Sequence, residues 1–172
     1  MTDVARDSVR NVLFVCTHNS ARSIMAEAIM NHATRTGTAG RFLAFSAGSQ
    51  PSGEVSPYAL RALDALRIPR GEPRSKDWAE FARPEAPELH FVFTVCDRAA
   101  GEACPVWPGQ PMTAHWGVPD PSAVQGTDGE RLKACIDTAH VLKRRIDLML
   151  ALPLASLDRM AIQRAISEIG RH

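Results

Sequence analysis

The run Val12-Leu13-Phe14-Val15 is apolar at every position. It passes without a break into Cys16-Thr17-His18-Asn19-Ser20-Ala21-Arg22, and then into a segment whose apolar residues Ile24, Ala28 and Ile29 keep helical spacing. A strand without polar alternation is covered on both faces, which is the condition of a parallel sheet, whereas an antiparallel sheet commonly leaves one side wet. Residues 11–15 are therefore read as a buried strand and residues 21–32 as the helix that follows it. The same alternation continues along the chain. Residues 41–46 read as a second strand, closed by the turn Ala47-Gly48-Ser49. Ser56 and Pro57 form a helix start, with Ala59, Leu60, Leu63 and Leu66 on one face through residue 67. An extended piece at 70–73, a brief helix at 77–81, an apolar strand at 88–95 and an edge strand at 113–116 come next. Two amphipathic helices, 128–150 and 156–169, close the chain on either side of Pro153. Strands alternating with helices predict an α/β fold with a parallel sheet and helices on both faces, joined by right-handed crossovers. Ligands of such sheets bind outside the strand carboxyl ends, and Cys16, Ser46 and Cys96 all fall there.

The seven residues from Cys16 to Arg22 carry the strongest chemical signal. A strand that ends in cysteine and turns into a helix sets the thiol where the first helical amides point, and those amides can hold a tetrahedral oxyanion. A helix N-terminus with an arginine nearby favours thiolate over thiol, so Cys16 is expected to be a nucleophile. The planar fork of Arg22 can grip two oxygens of a phosphate-like group. Asn19, Ser20 and Ser23 are short polar residues able to cap the helix or brace the loop, and Ser23 can donate to the sulfur. His18 can shape the loop or tune the anion site.

The 172 residues suffice for one domain without metal or disulfide staples. The expected layout is a catalytic core at about 11–150, a C-terminal helix at about 156–170 and a flexible stretch at 1–10. A net charge of +1 with both signs interspersed offers no electrostatic case for nucleic acid or an anionic membrane surface. Residues 1–10 lack the apolar core of a leader, and a cytoplasmic location is expected. In a reducing compartment the four cysteines Cys16, Cys96, Cys104 and Cys135 are expected to be reactive, metal-bound or buried, not a disulfide framework.

Cys96 ends the third long strand, and Cys104 follows after the polar, small-residue segment Asp97-Arg98-Ala99-Ala100-Gly101-Glu102-Ala103, which can bend. Closing a loop of that size costs only about 2.6 kcal/mol of chain entropy, so a reversible disulfide is feasible, and three thiols on one rim make a relay. Cys104 could instead pack as a small apolar residue under Trp107. A zinc site from Cys96, Cys104 and His115 matches no common ligand spacing, so no metal is expected. Cys135 lies on the apolar face of the long helix and is assigned to the core, as is His90 within its strand. In Gly117-Val118-Pro119-Asp120-Pro121-Ser122 a carboxyl is fixed between two prolines, which suits either a proton donor or an ordinary turn aspartate.

On Cys16 to Arg22, Ser23, Cys96, Cys104 and Asp120-Pro121, the chain resembles the arsenate reductases built on the low-molecular-weight tyrosine phosphatase fold. The resemblance runs from Val12 to about Gly170 and includes Phe45-Ser46-Ala47-Gly48 and Thr113-Ala114-His115-Trp116-Gly117-Val118-Pro119-Asp120-Pro121. It implies a three-layer α/β/α architecture around a four-stranded parallel sheet. It also implies an oxyanion site formed by Thr17, His18, Asn19, Ser20, Ala21, Arg22 and Ser23, with Cys16 attacking and Asp120 protonating the leaving group. Cys96 and Cys104 would carry a disulfide relay. No tightly bound cofactor is implied. The partners would be arsenate, with phosphate or sulfate able to fill the loop, and thioredoxin or another thiol reductant. The rival activities are hydrolysis of phosphotyrosine or another phosphomonoester and a silent oxyanion-binding or redox-sensing module. Related phosphatases usually carry Gly at the position of His18 and an aromatic residue at that of Ser122. Tyr58 is the only tyrosine of the chain, which further weakens the phosphotyrosine reading.

Overall fold

In the computed structural model, residues 9–36, 42–102 and 105–172 are described. Four strands, β1 (Arg10–Cys16), β2 (Phe42–Gly48), β3 (Phe91–Thr94) and β4 (Met112–His115), form one sheet in the order β2-β1-β3-β4 with every pair parallel. The helices are α1 (Arg22–Thr36), α2 (Pro57–Ala65), α3 (Asp97–Ala100), α4 (Asp128–Leu150) and α5 (Arg159–Ile169). The chain steps one way from β1 to β2 and the other way from β2 to β3 and β4. Right-handed crossovers then require the first connection and the later ones to lie on opposite faces.

Register and contacts show that division. Val12, Phe14, Ala44 and Ser46 share one face, where Asn31 of α1 bonds both the N–H and the C=O of Ala44 and Glu27 meets Ser46. Leu13 and Phe45 share the other, where Phe81 of the 3-10 helix Trp78–Ala82 lies 5.5 Å from Phe45 between ring centroids. The expected parallel sheet between covering layers is present, and β4 is an edge strand as expected, with β2 at the other edge.

The core on the first face centres on Phe14, Phe93 and Trp116. Trp116 stacks on Phe93 at 3.9 Å between centroids, and its indole N–H donates to the Ile166 carbonyl of α5. Arg145 of α4, itself buried, donates to the carbonyls of Trp116, Gly117 and His172. These bonds hold the run after β4 that carries Asp120.

Several boundaries differ from the sequence reading for local reasons. Arg10, expected in a flexible stretch, opens β1 opposite Phe42. The paired residues of β3 begin only at Phe91; before it His90 Nδ1 accepts from the Asn11 N–H and the Asn11 side chain donates to the Glu88 carbonyl, while the His90 backbone still bonds Asn11 and Met112. His90 is accordingly a satisfied, half-buried histidine. The brief helix at 77–81 is a 3-10 helix capped by Asp77. α5 starts at Arg159, because Asp158 caps it and Leu154–Ser156 forms a separate 3-10 turn. Ser56 caps α2 as expected, by accepting from the Ala59 N–H. α3 was not anticipated: Cys96 caps this single turn with its sulfur, so part of the segment read as pliable is helical. Arg41 and Cys104 lie outside the described residues. No helix among the described residues is long and apolar enough to cross a membrane.

Candidate active site

The reversal of strand order between β1 and β3 leaves a crevice outside their carboxyl ends, and the residues from Cys16 to Arg22 fill it. The loop is held from outside through its carbonyls. Those of Cys16, Thr17, His18 and Ser20 accept from the N–H groups of Ser49, Gln50, Ser52 and Ser56, and that of His18 also from the Ser75 hydroxyl. Turning these carbonyls outward leaves the loop's N–H groups for the interior, beside the N-terminus of α1. Gly48, at the end of β2, lets the loop close, since a β-carbon there would lie 2.5 Å from the Thr17 carbonyl oxygen.

Cys16 is buried, and its sulfur accepts from the Asn19 N–H at 3.2 Å. Ser23 Oγ lies 2.9 Å from the same sulfur and accepts from Asn19 Nδ2 at 2.7 Å, which leaves its single proton free to be given to Cys16. Asn19 Oδ1 accepts from the Lys76 N–H at 2.9 Å. A backbone N–H can only donate, so the oxygen faces Lys76 and the amino group faces Ser23. Asn19 adopts φ 47°, the left-handed region that asparagine tolerates better than most residues.

Arg22 donates through Nη1 to the Val118 carbonyl, and its Nη2 lies 3.7 Å from Asp120 Oδ2. Asp120 Oδ1 accepts from the Ser122 N–H and caps the 3-10 turn Pro121–Ala123. The two sequence readings of Asp120 thus divide between its oxygens: one closes a turn and the other faces Arg22. A cavity of about 290 Å³ is lined by Cys16, the exposed His18, Ser20, Ala21, Arg22 and Asp120. The volume suits a tetrahedral oxyanion with room beside it.

Cys96 is buried just beyond β3, where its sulfur accepts from the Ala99 N–H at 3.3 Å and lies 3.5 Å from Thr17 Oγ1. It lines a second cavity of about 290 Å³ together with Thr17, His18, Arg22 and Asp120. Arg22, His18 and Asp120 therefore border the cavities of both cysteines. Cys16, Cys96 and Cys135 are free thiols. Cys135 belongs to the core, where burial, with the Asp120 carboxylate adding to it, pushes its thiol up to about 11. His115 is engaged by Thr94 Oγ1 at 2.8 Å and Asp97 Oδ1 at 2.6 Å. Among the described residues no group of three His, Cys, Asp or Glu side chains could hold a metal ion.

Sequence reasoning missed Lys76 and Glu27 altogether and had Ser46 only as a strand-end residue. A lysine in the polar stretch Arg74-Ser75-Lys76-Asp77 gives no local sign that it turns inward.

A buried cysteine with its sulfur between the Asn19 N–H and the Ser23 hydroxyl, an arginine at the mouth and a carboxylate beside it define a thiol-dependent, oxyanion-handling site at the switch point of a parallel sheet. The chain matches the family model described as low molecular weight phosphotyrosine protein phosphatase over residues 11–161, and it belongs to that family. Its relatives there include the arsenate reductase of Halalkalibacterium halodurans, 33% identical over 125 residues that cover 70% of this chain and 80% of the relative. Two solved structures share the fold. An arsenate reductase in the phosphate binding state aligns with a TM-score of 0.62 at 23% identity, covering 83% of this chain and 97% of its own. A low molecular weight phosphotyrosine phosphatase from Vibrio cholerae O395 gives 0.62 at 21% identity, covering 78% and 90%. Equal scores for a reductase and a phosphatase mean that the backbone does not separate the two activities; the side chains must.

Proposed function

We propose that this protein reduces arsenate to arsenite with a cysteine relay. The observation that carries the reading is the second free thiol, Cys96, seated at the neighbouring strand end and bordering the same Arg22 and Asp120 as Cys16. Hydrolysis of a phosphate ester needs only the first thiol. The relatives called arsenate reductases support the same choice.

In the proposed reaction arsenate enters the loop, where the amides and Arg22 neutralise its charge. The Cys16 thiolate attacks arsenic while Asp120 protonates the departing oxygen, so an S–As bond forms and water leaves. The Cys96 thiolate then attacks the Cys16 sulfur. The S–As bond breaks, its electron pair passes to arsenic, arsenic(V) becomes arsenic(III), and a Cys16–Cys96 disulfide balances the two electrons. Cys104 attacks Cys96, releases Cys16 as thiolate and leaves a Cys96–Cys104 disulfide for an external dithiol such as thioredoxin. Phosphate fits the same loop but has no accessible lower state, so it occupies the site without turnover.

The test pairs arsenite formation, with thioredoxin and its reductase supplied, against release of nitrophenol from p-nitrophenyl phosphate. Cys16→Ser abolishes both. Cys96→Ser and Cys104→Ser abolish steady-state arsenite formation and leave any esterase activity. Arsenite production that survives loss of Cys96 overturns the relay, and ester hydrolysis with no arsenite from the intact protein moves the chain to the phosphatases.

A further inference from the structure

Among the described residues only two basic side chains, Lys76 and Arg145, are buried. Arg145 is satisfied by three backbone oxygens, those of Trp116, Gly117 and His172. Lys76 has a different setting. Its Nζ donates to the Arg74 carbonyl at 2.8 Å and to Ser46 Oγ at 3.4 Å, and the Ser46 hydroxyl in turn donates to Glu27 Oε2 at 3.3 Å. An ammonium, a hydroxyl and a half-buried carboxylate thus stand in series between the segment after residue 73, β2 and α1. Burial pushes the Glu27 carboxyl up while the Lys76 ammonium pulls it back, and burial pushes Lys76 down while Glu27 sustains its charge. Neither residue touches the oxyanion cavity, so the reaction as written does not use them.

The backbone of the same lysine reaches the site. The Lys76 N–H donates to Asn19 Oδ1, and the Lys76 carbonyl accepts from the N–H of Gly48, the residue on which the loop closes. Asn19 can present either its oxygen or its amino group to Ser23. With the Lys76 N–H in place the amino group faces Ser23 Oγ, and the Ser23 proton is left for Cys16. With that N–H displaced, the amide can turn over, Ser23 then donates to Asn19, and Cys16 loses a donor.

We propose that Lys76, held by Ser46 and Glu27, is a positioning residue for Cys16: its buried ammonium fixes the peptide that sets the orientation of the Asn19 amide and hence of the Ser23 hydroxyl. The reaction affected is the arsenate reduction proposed above. The first readout, alkylation of Cys16, does not depend on that reading.

The experiment replaces the cation and then returns it. Lys76→Ala removes the ammonium, and a cleft of about 180 Å³ lined by Glu27, Asn31, Arg70 and Pro73 opens beside the carboxylate, giving a small amine a route to it. Lys76→Met, which keeps the bulk of the side chain, is the companion should the alanine variant fail to fold. Iodoacetamide labelling at neutral pH, followed on the Cys16 peptide by mass spectrometry, is expected to slow by about tenfold or more in either variant, the scale of one hydrogen bond to a charged atom. Adding ethylammonium should restore labelling of Lys76→Ala in a saturable manner. Tetramethylammonium at equal ionic strength, which cannot donate hydrogen bonds, should not. Labelling within twofold of the unaltered protein in a folded variant overturns the proposal, as does equal restoration by both cations. If labelling behaves as expected but the unaltered protein makes no arsenite, the positioning role stands and the reductase reading falls.

Discussion

Replacing Ser23 with alanine isolates the contact on which the reactivity of Cys16 most depends. The hydroxyl is fully buried and lies 2.9 Å from the sulfur, and it accepts a second bond, from Asn19 Nδ2 at 2.7 Å, that leaves its proton free for the sulfur. A hydrogen bond to a charged group contributes about 1.5–3 kcal/mol, so its loss should slow the first chemical step about 10- to 150-fold. The same change strands the buried amino group of Asn19, which should lower global stability by about 1–3 kcal/mol. Rapid-mixing single-turnover measurement of arsenite release under excess enzyme reads the first effect, and urea titration reads the second. The two separate cleanly: a variant that is folded at the assay temperature and still slow has lost a donor to sulfur, not its structure. A folded Ser23→Ala protein whose first step slows less than threefold would refute the assignment of the Ser23 proton to Cys16.

Three further outcomes follow from the geometry. Asp120→Asn removes the proton donor and should cut the first step by about 100-fold or more, while phosphate, measured by calorimetry, binds as well or better because a negative neighbour is gone; weakened phosphate binding would instead make Asp120 an anchor for Arg22. Gly48→Ala pushes a β-carbon against the Thr17 carbonyl and should cost about 1–3 kcal/mol in urea titrations and abolish protection of Cys16 by phosphate against alkylation. The folded-state pKa of Cys135 is raised, so its contribution to stability is present below the unfolded value and is lost as pH climbs towards about 11. From pH 8 to pH 10.5 the unaltered protein should lose about 2 kcal/mol more stability than Cys135→Ala, and equal losses would remove the thiol as the cause.

What could be read from the chain before any coordinates is what local pattern encodes. The unbroken apolar strand, the Ser56-Pro57 helix start and the amphipathic spacing of α4 report the sheet and its cover, since burial on one or two faces imposes those periods. Cys16, Arg22 and Ser23 were legible because strand, loop and helix are contiguous, so spacing alone brings them together. Lys76 was not legible, because its role depends on bonds to Asn19 and Gly48, residues far away in sequence. α3 was missed because its cap is a cysteine sulfur, a residue rarely read as a cap. The start of β3 was set too early because Leu89 is buried although it stands before the paired residues.

The edge strand β4 carries a consequence of its own. Thr113 and His115 turn their backbone groups away from β3, and at that margin Gln163 of α5 occupies the Thr113 carbonyl, Arg159 takes that of Gln110, and Gly170 presses so close to the His115 carbonyl that no side chain would fit. A bare margin of this kind is a template on which another polypeptide can extend the sheet. By occupying it, α5 takes up outward-facing groups of β4 that such pairing would need.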